Sequence, residues 1–149
     1  MGGGPRVAGL WSEMGVTENE RALEEELALF PDPHERLAHL VDRAGRRPSV
    51  PEAERIDAAR VTGCVSRVWL TGELVNGRCR FQVAADSPMV LGLVRLLCDV
   101  YEGVPPEEVA AHDSEILTRT GLDRQISPTR LHGLAHARAR VRAIAADMV

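Results

Sequence analysis

Aromatic side chains make up 3% of this 149-residue chain, too few for the stacking platforms that hold single-stranded nucleic acids. An excess of positive charge is missing as well. The net charge is -4 and the pI is near 5.7, whereas nucleic-acid binders carry a basic footprint. No apolar run reaches the roughly 18 residues that would span a bilayer, and the glycine-rich start, Met1 to Pro5, lacks the apolar core of a signal peptide. A cytoplasmic location is therefore expected, with neither membrane nor nucleic acid as partner. Cysteine is scarce: three residues, an odd number with no CxxC pair, which suits free thiols in a reducing compartment rather than a disulfide framework. The nucleotide motifs GxGxxG and GxxxxGKS/T and the hydrolase elbow GxSxG are absent too.

What remains is enough for one domain with its own core. Residues 1–16 carry no sustained period and are expected to form a mobile tail, with Leu10 and Trp11 as anchors, ahead of a domain over 17–149. Thr17 with Glu20 three residues on predicts a capped helix whose apolar stripe is Leu23, Leu27 and Phe30. The acidic run Glu18, Glu20, Glu24, Glu25 and Glu26 is expected to be its solvated face. Asp32-Pro33 opens a second helix with Leu37, Leu40 and Val41 inward and Gly45 as its stop. After an irregular connector, residues 58–61 predict a short first strand. Val65 to Leu74 and Arg78 to Ala84 predict two more, joined by Asn76-Gly77, the dipeptide best suited to a tight hairpin.

Ser87-Pro88 caps a third helix that is apolar nearly all round, with Val90, Leu93, Leu97 and Val100 in its stripe, so it is expected at the centre. Short helices follow from Pro106 and over 113–120. Ser127-Pro128 caps the last one, with Leu131, Leu134, Ala137, Val141, Ile144 and Met148 inward. Arg130, Arg138, Arg140 and Arg142 lie on its other face and are expected to be solvated for the most part.

The chemistry-bearing candidate is Cys64. It follows Gly63 at the turn before a strand, where a thiol can be presented, and Arg55, Arg60 and Arg67 are close enough in sequence to favour the thiolate, with Asp57 opposing them. A free cysteine of no function is the alternative. Cys79 shares a strand face with Phe81 and Val83, and Cys98 lies among Leu96, Leu97 and Val100, so both are expected to be inert core residues. His132 and His136 stand one helical turn apart, but the zincin pattern needs glutamate where Gly133 stands. The cysteine spacings also disfavour structural zinc, so no metal is expected.

Four ordered motifs carry a resemblance: Val61-x-Gly63-Cys64-x-Ser66-x-Val68-Trp69-Leu70; Ala85-Asp86-Ser87 with Gly92-Leu93; Gly103-x-x-Pro106-Glu107-Glu108; and Ser127-Pro128-x-Arg130 with Gly133-Leu134. Together they resemble the SufE family of sulfur-acceptor proteins over roughly residues 17–147. The resemblance implies an α+β fold, here a small antiparallel three-stranded sheet covered by helices on one face. It implies that Cys64 accepts sulfane sulfur as a persulfide from a SufS-type cysteine desulfurase, stimulates that enzyme, and passes the sulfur on to a SufBCD-type scaffold for iron-sulfur cluster assembly. Gly63, Ser66, Arg67, Asp86 and Arg130 would face the partner. No cofactor is implied for this chain, since pyridoxal phosphate belongs to the desulfurase. Val65, Ala59 and Pro88 depart from the family's usual glutamine, asparagine and acidic residue, around the docking surface. A cluster scaffold or a plain interaction module on the same fold are the alternatives.

Overall fold

The computed structural model describes residues 15–149. The expected tail with its anchors Leu10 and Trp11 therefore lies, up to residue 14, outside the described residues. Helix α1 spans Val16–Ala28 and α2 Pro33–Ala44. Strands β1, Val68–Val75, and β2, Arg78–Ala85, follow, then α3 Pro88–Tyr101, α4 Pro106–Ala111, α5 Ile116–Arg119 and α6 Pro128–Ala146. Single 3₁₀ turns occur at Glu52–Glu54, Asp57–Ala59 and Leu122–Gln125.

Local chemistry sets most of the boundaries. The Asp32 carboxylate accepts from the N–H groups of His34 and Glu35 at 2.8 and 3.2 Å. Ser87 and Ser127 accept from Val90 and Arg130 at 3.3 Å each. A side-chain oxygen thus satisfies an orphan donor at the start of α2, α3 and α6, each with proline in its first turn. Between the strands, Asn76 and Gly77 take φ of 52° and 78°, the left-handed pair that matches the twist of a two-residue hairpin.

The start of α1 differs from expectation. The helix begins at Val16, which is buried, with Gly15 rather than Thr17 at the cap. Glu18 accepts from the Gly15 N–H at 3.0 Å, and Glu108 of α4 accepts from the Val16 N–H at 3.0 Å. A carboxylate 92 residues away takes the part that a local hydroxyl was expected to play. The acidic run is not uniformly solvated either. Glu20 is buried and accepts from the Ser114 hydroxyl at 2.6 Å, and Glu26 accepts from Arg43 at 2.9 Å.

Among the described residues the sheet has two strands, not three. Residues 58–61 pass from the 3₁₀ turn into one antiparallel bridge, Arg60 with Trp69, and the Val61 N–H donates to the Val68 carbonyl at 2.9 Å. Ala58 and Ala59 favour a strand weakly, and the chain must turn at Gly63, so pairing stops almost as it starts. Val65 to Arg67 likewise stay outside β1. One sheet face carries Val68, Leu70, Cys79, Phe81 and Val83, all buried, and packs on α3 and α6. The far edge of β2 is sealed by other means. The N–H of Cys79 donates to the Val104 carbonyl at 2.9 Å, that of Phe81 to the Glu102 carboxylate at 3.2 Å and that of Val83 to the Pro48 carbonyl at 3.3 Å.

Helix α3 is central as expected, touching α1, α2, α6 and β2. On α6 the buried residues are Gly133, Leu134, Ala137, Val141 and Ala145, mostly small side chains that bring it close to its neighbours. Its arginines are more occupied than expected. Arg138, Arg140 and Arg142 donate to the carbonyls of Ser114, Ala58 and Ala110 at 3.1, 2.9 and 2.9 Å, tying a loop, a 3₁₀ turn and α4 to the helix, and Arg130 alone of the four is exposed.

Amid the apolar residues of α3 lies Arg95, with 0% exposure. Its guanidinium donates to Asp99 at 2.9 Å, to Glu102 at 3.2 Å and to the Phe81 carbonyl at 2.8 Å. Arg43 and Arg47 close the network onto Asp99 at 2.7 and 2.9 Å. Burial pushes the Glu102 carboxyl up, and Arg95 opposes that shift. Removing the central cation leaves two buried carboxylates short of a partner, so Arg95→Met should cost about 3–5 kcal/mol. Urea denaturation measures this, and a loss below about 1 kcal/mol would contradict the role given to Arg95.

Candidate functional site

Cys64 sits between two close approaches of backbone. Gly63 holds φ at +89°, and a Cβ there would lie 2.4 Å from the His136 ring, so only glycine lets the loop rest on that side chain. On the other side, a Cβ at Gly133 would lie 3.3 Å from the Cys64 Sγ and 3.4 Å from its Cα. The missing side chain of Gly133 is the space in which the cysteine lies. Its thiol donates to the Gly133 carbonyl at 3.3 Å.

The thiol is half-buried at the wall of a 180 Å³ hollow whose apolar floor is Val90, Leu93 and Leu134 and whose rim is Ser66, Thr129 and Arg130. Burial pushes the Cys64 thiol up from its ordinary value, by disfavouring the charged form. Two of the three cations expected to help are engaged elsewhere. Arg55 donates to the Val50 carbonyl at 3.0 Å, and Arg67 is turned onto Asp86 at 3.2 Å, 5.6 Å from the centre of the Trp69 ring. Val65, the next residue, is 84% exposed.

The sequence candidates separate into two groups. Cys64, Ser66 and Arg130 share the hollow, and the Arg130 guanidinium rests against the Met89 sulfur. Arg67 and Asp86 form a clasp behind it. Asp86 accepts from the Arg67 N–H at 3.1 Å and donates its own N–H to the Arg67 carbonyl at 3.1 Å, closing the loop where β1 begins and β2 ends. Gly133 and His136 were not singled out as neighbours of Cys64. A lone glycine inside a helix was the available signal, since it marks a close packing partner.

The other thiols are placed as expected. Cys79 and Cys98 are fully buried, with burial pushing them up to about 11 and about 12 respectively. Among the described residues, no group of three or more His, Cys, Asp or Glu could hold a metal ion, and no helix is long and apolar enough to cross a membrane.

Residues 21–145 match the family model described as SufE, Fe-S metabolism associated domain. The chain belongs to the SufE family. Among its relatives is the sulfur acceptor protein CsdE of Escherichia coli, 26% identical over 132 residues, which covers 87% of this chain and 88% of that protein. A chloroplastic quinolinate synthase of Oryza sativa is 39% identical over 100 residues, but that match takes in 66% of this SufE chain and 14% of the rice protein. The solution structure of a hypothetical protein from Thermus thermophilus superposes with a TM-score of 0.72 at 24% identity, covering 87% of this chain and 94% of that one, which shows the fold.

The contact at Gly133 yields a test with two readouts. Gly133→Ala should leave the protein folded with little net change in stability, because the roughly 1 kcal/mol by which alanine is favoured over glycine in a helix offsets the cost of the tight contact with Cys64. The new methyl should at the same time press the thiol out of its recess. Iodoacetamide should then label Cys64 faster than in the wild type, with the pH of half-maximal labelling moved down toward that of an ordinary thiol. Unchanged or slower labelling would show that the recess is not what restrains Cys64.

Proposed function

We propose that this SufE-family protein accepts sulfane sulfur on Cys64 from a PLP-dependent cysteine desulfurase of the SufS type, stimulates that enzyme, and passes the sulfur to a SufBCD-type scaffold. The observation that carries this reading is the contrast among its thiols. Cys64 alone of the three is partly open to solvent, at a glycine turn over a hollow. Descent from the same family as a protein named a sulfur acceptor supports it.

The reaction is thiol exchange without net oxidation. The Cys64 thiolate attacks the outer sulfur of the partner's persulfide, the bond between the partner's two sulfurs breaks, and the partner's cysteine leaves as thiolate. Rate follows thiolate fraction and access, and the recessed Cys64 has little of either. The recess thus keeps the thiol protonated and slow toward stray oxidants in the free protein, and docking draws the loop outward. Arg130, exposed at the rim, supplies the partner with charge-assisted hydrogen bonds that help drive the shift. Gly63 gives the turn its freedom, Ser66 lines the exit, and Arg67 with Asp86 anchors the far end.

A cluster scaffold would need several thiolates to converge, and Cys79 and Cys98 lie in the core with thiols held protonated. Incubation with the desulfurase and cysteine, followed by mass mapping of alkylated peptides, tests the assignment. Persulfide should accumulate on Cys64 and vanish in Cys64→Ser. Cys79→Ala and Cys98→Ala should keep transfer while losing about 0.5–3 kcal/mol of stability. Persulfide carried mainly by Cys79 or Cys98, or full transfer by Cys64→Ser, would sink it.

A further inference from the structure

Two imidazoles that the thiol chemistry leaves unused stand beside the Cys64 loop. His132 and His136 are exposed on α6, with their Nε2 atoms 3.2 Å apart and ring centroids 4.7 Å apart at 74°. Two nitrogens each about 2.1 Å from one ion, at angles between octahedral and tetrahedral, stand roughly 3.0–3.4 Å apart. The pair already has the spacing of a chelate.

Its surroundings keep it so. Gly63 backs the His136 ring closely enough that a Cβ would lie 2.4, 2.6 and 2.7 Å from Cδ2, Cγ and Nε2, which blocks retreat of the ring toward the loop. Among the described residues neither ring has a hydrogen-bond or ion-pair partner other than its mate. Arg140, the cation one turn further on, is held at 2.9 Å on the Ala58 carbonyl, away from the pair.

We propose that His132 and His136 form a two-point site for a borderline divalent transition-metal ion such as Zn²⁺ or Ni²⁺, with water completing the coordination. Imidazole nitrogen suits such ions, whereas Ca²⁺ and Mg²⁺ demand oxygen. Chelation needs both rings neutral, with the proton on Nδ1 facing water and Nε2 free on each. The site differs from the zinc centres that the sequence argues against. It has no glutamate base and no thiolate set, so the ion exchanges freely and is not required for folding. An ion held there would fix the ring on which Gly63 rests, one residue from Cys64.

The test is a titration of the full-length protein with zinc chloride, followed by histidine ring NMR. Cys64→Ser serves as the background so that the thiol cannot bind zinc. The His132 and His136 resonances should shift together and saturate at one ion per chain, while those of His34, His39 and His112 stay in place. His132→Ala and His136→Ala, both at exposed positions and checked for fold by circular dichroism, should each weaken binding at least tenfold. No movement of the pair up to millimolar zinc, or equal binding after either substitution, would overturn the proposal. So would binding that shifts the other histidines instead, or an effect of Mg²⁺ equal to that of zinc.

Discussion

A guanidinium shut off from water holds this molecule in register. Arg95 reaches from the middle of α3 to β2 through the Phe81 carbonyl, and to the end of its own helix through Asp99 and Glu102. Asp99 then takes Arg43 and Arg47 from α2 and the connector after it, and Glu102 accepts from the Phe81 N–H at the sealed edge of β2. Every one of the 18 positive side chains is arginine, and here that matters. A lysine could neutralise one carboxylate, but only the planar fork with its five donors reaches two carboxylates and a carbonyl at once. The hairpin held in this way carries the Cys64 loop at the start of β1 and the Asp86 end of the clasp just after β2.

The parts of the fold written in short-range chemistry were legible. Asp32-Pro33, Ser87-Pro88, Ser127-Pro128 and Asn76-Gly77 each set a boundary by a rule that acts within four residues. The parts written across the chain were not. Glu20 gives no local sign that Ser114 will need it, and Thr17 loses the cap because Glu108 arrives from α4. The third strand failed for a similar reason, since the turn into Gly63 outweighs a weak β-preference at Ala58 and Ala59.

The site divides along the same line. That Cys64 differs in kind from Cys79 and Cys98 could be read from a glycine, a turn and two apolar contexts. That its thiol is made less acidic rather than more could not. Arginines near in sequence promised a cationic setting, but the guanidiniums of Arg55 and Arg67 went to the Val50 carbonyl and to Asp86, and the decisive neighbour, Gly133, is 69 residues away.

The exposed Val65 has a consequence for the energetics of the loop. Val65 lines the same hollow as Cys64 while staying 84% exposed, so its side chain has room to turn further onto the apolar floor if docking draws Cys64 out as proposed. The hollow over Val90, Leu93 and Leu134 would then be refilled by an isopropyl group instead of being left as a void. On that proposal one apolar occupant would replace another, and a valine's burial, of order 1.5–3 kcal/mol when complete, would offset the loss of the thiol's own contacts. A glutamine at this position would have to leave its amide unpaired in an apolar hollow, which costs free energy instead of releasing it. If the loop has the second position proposed above, valine at position 65 would act as a counterweight, bringing the two closer in free energy than a polar residue would allow.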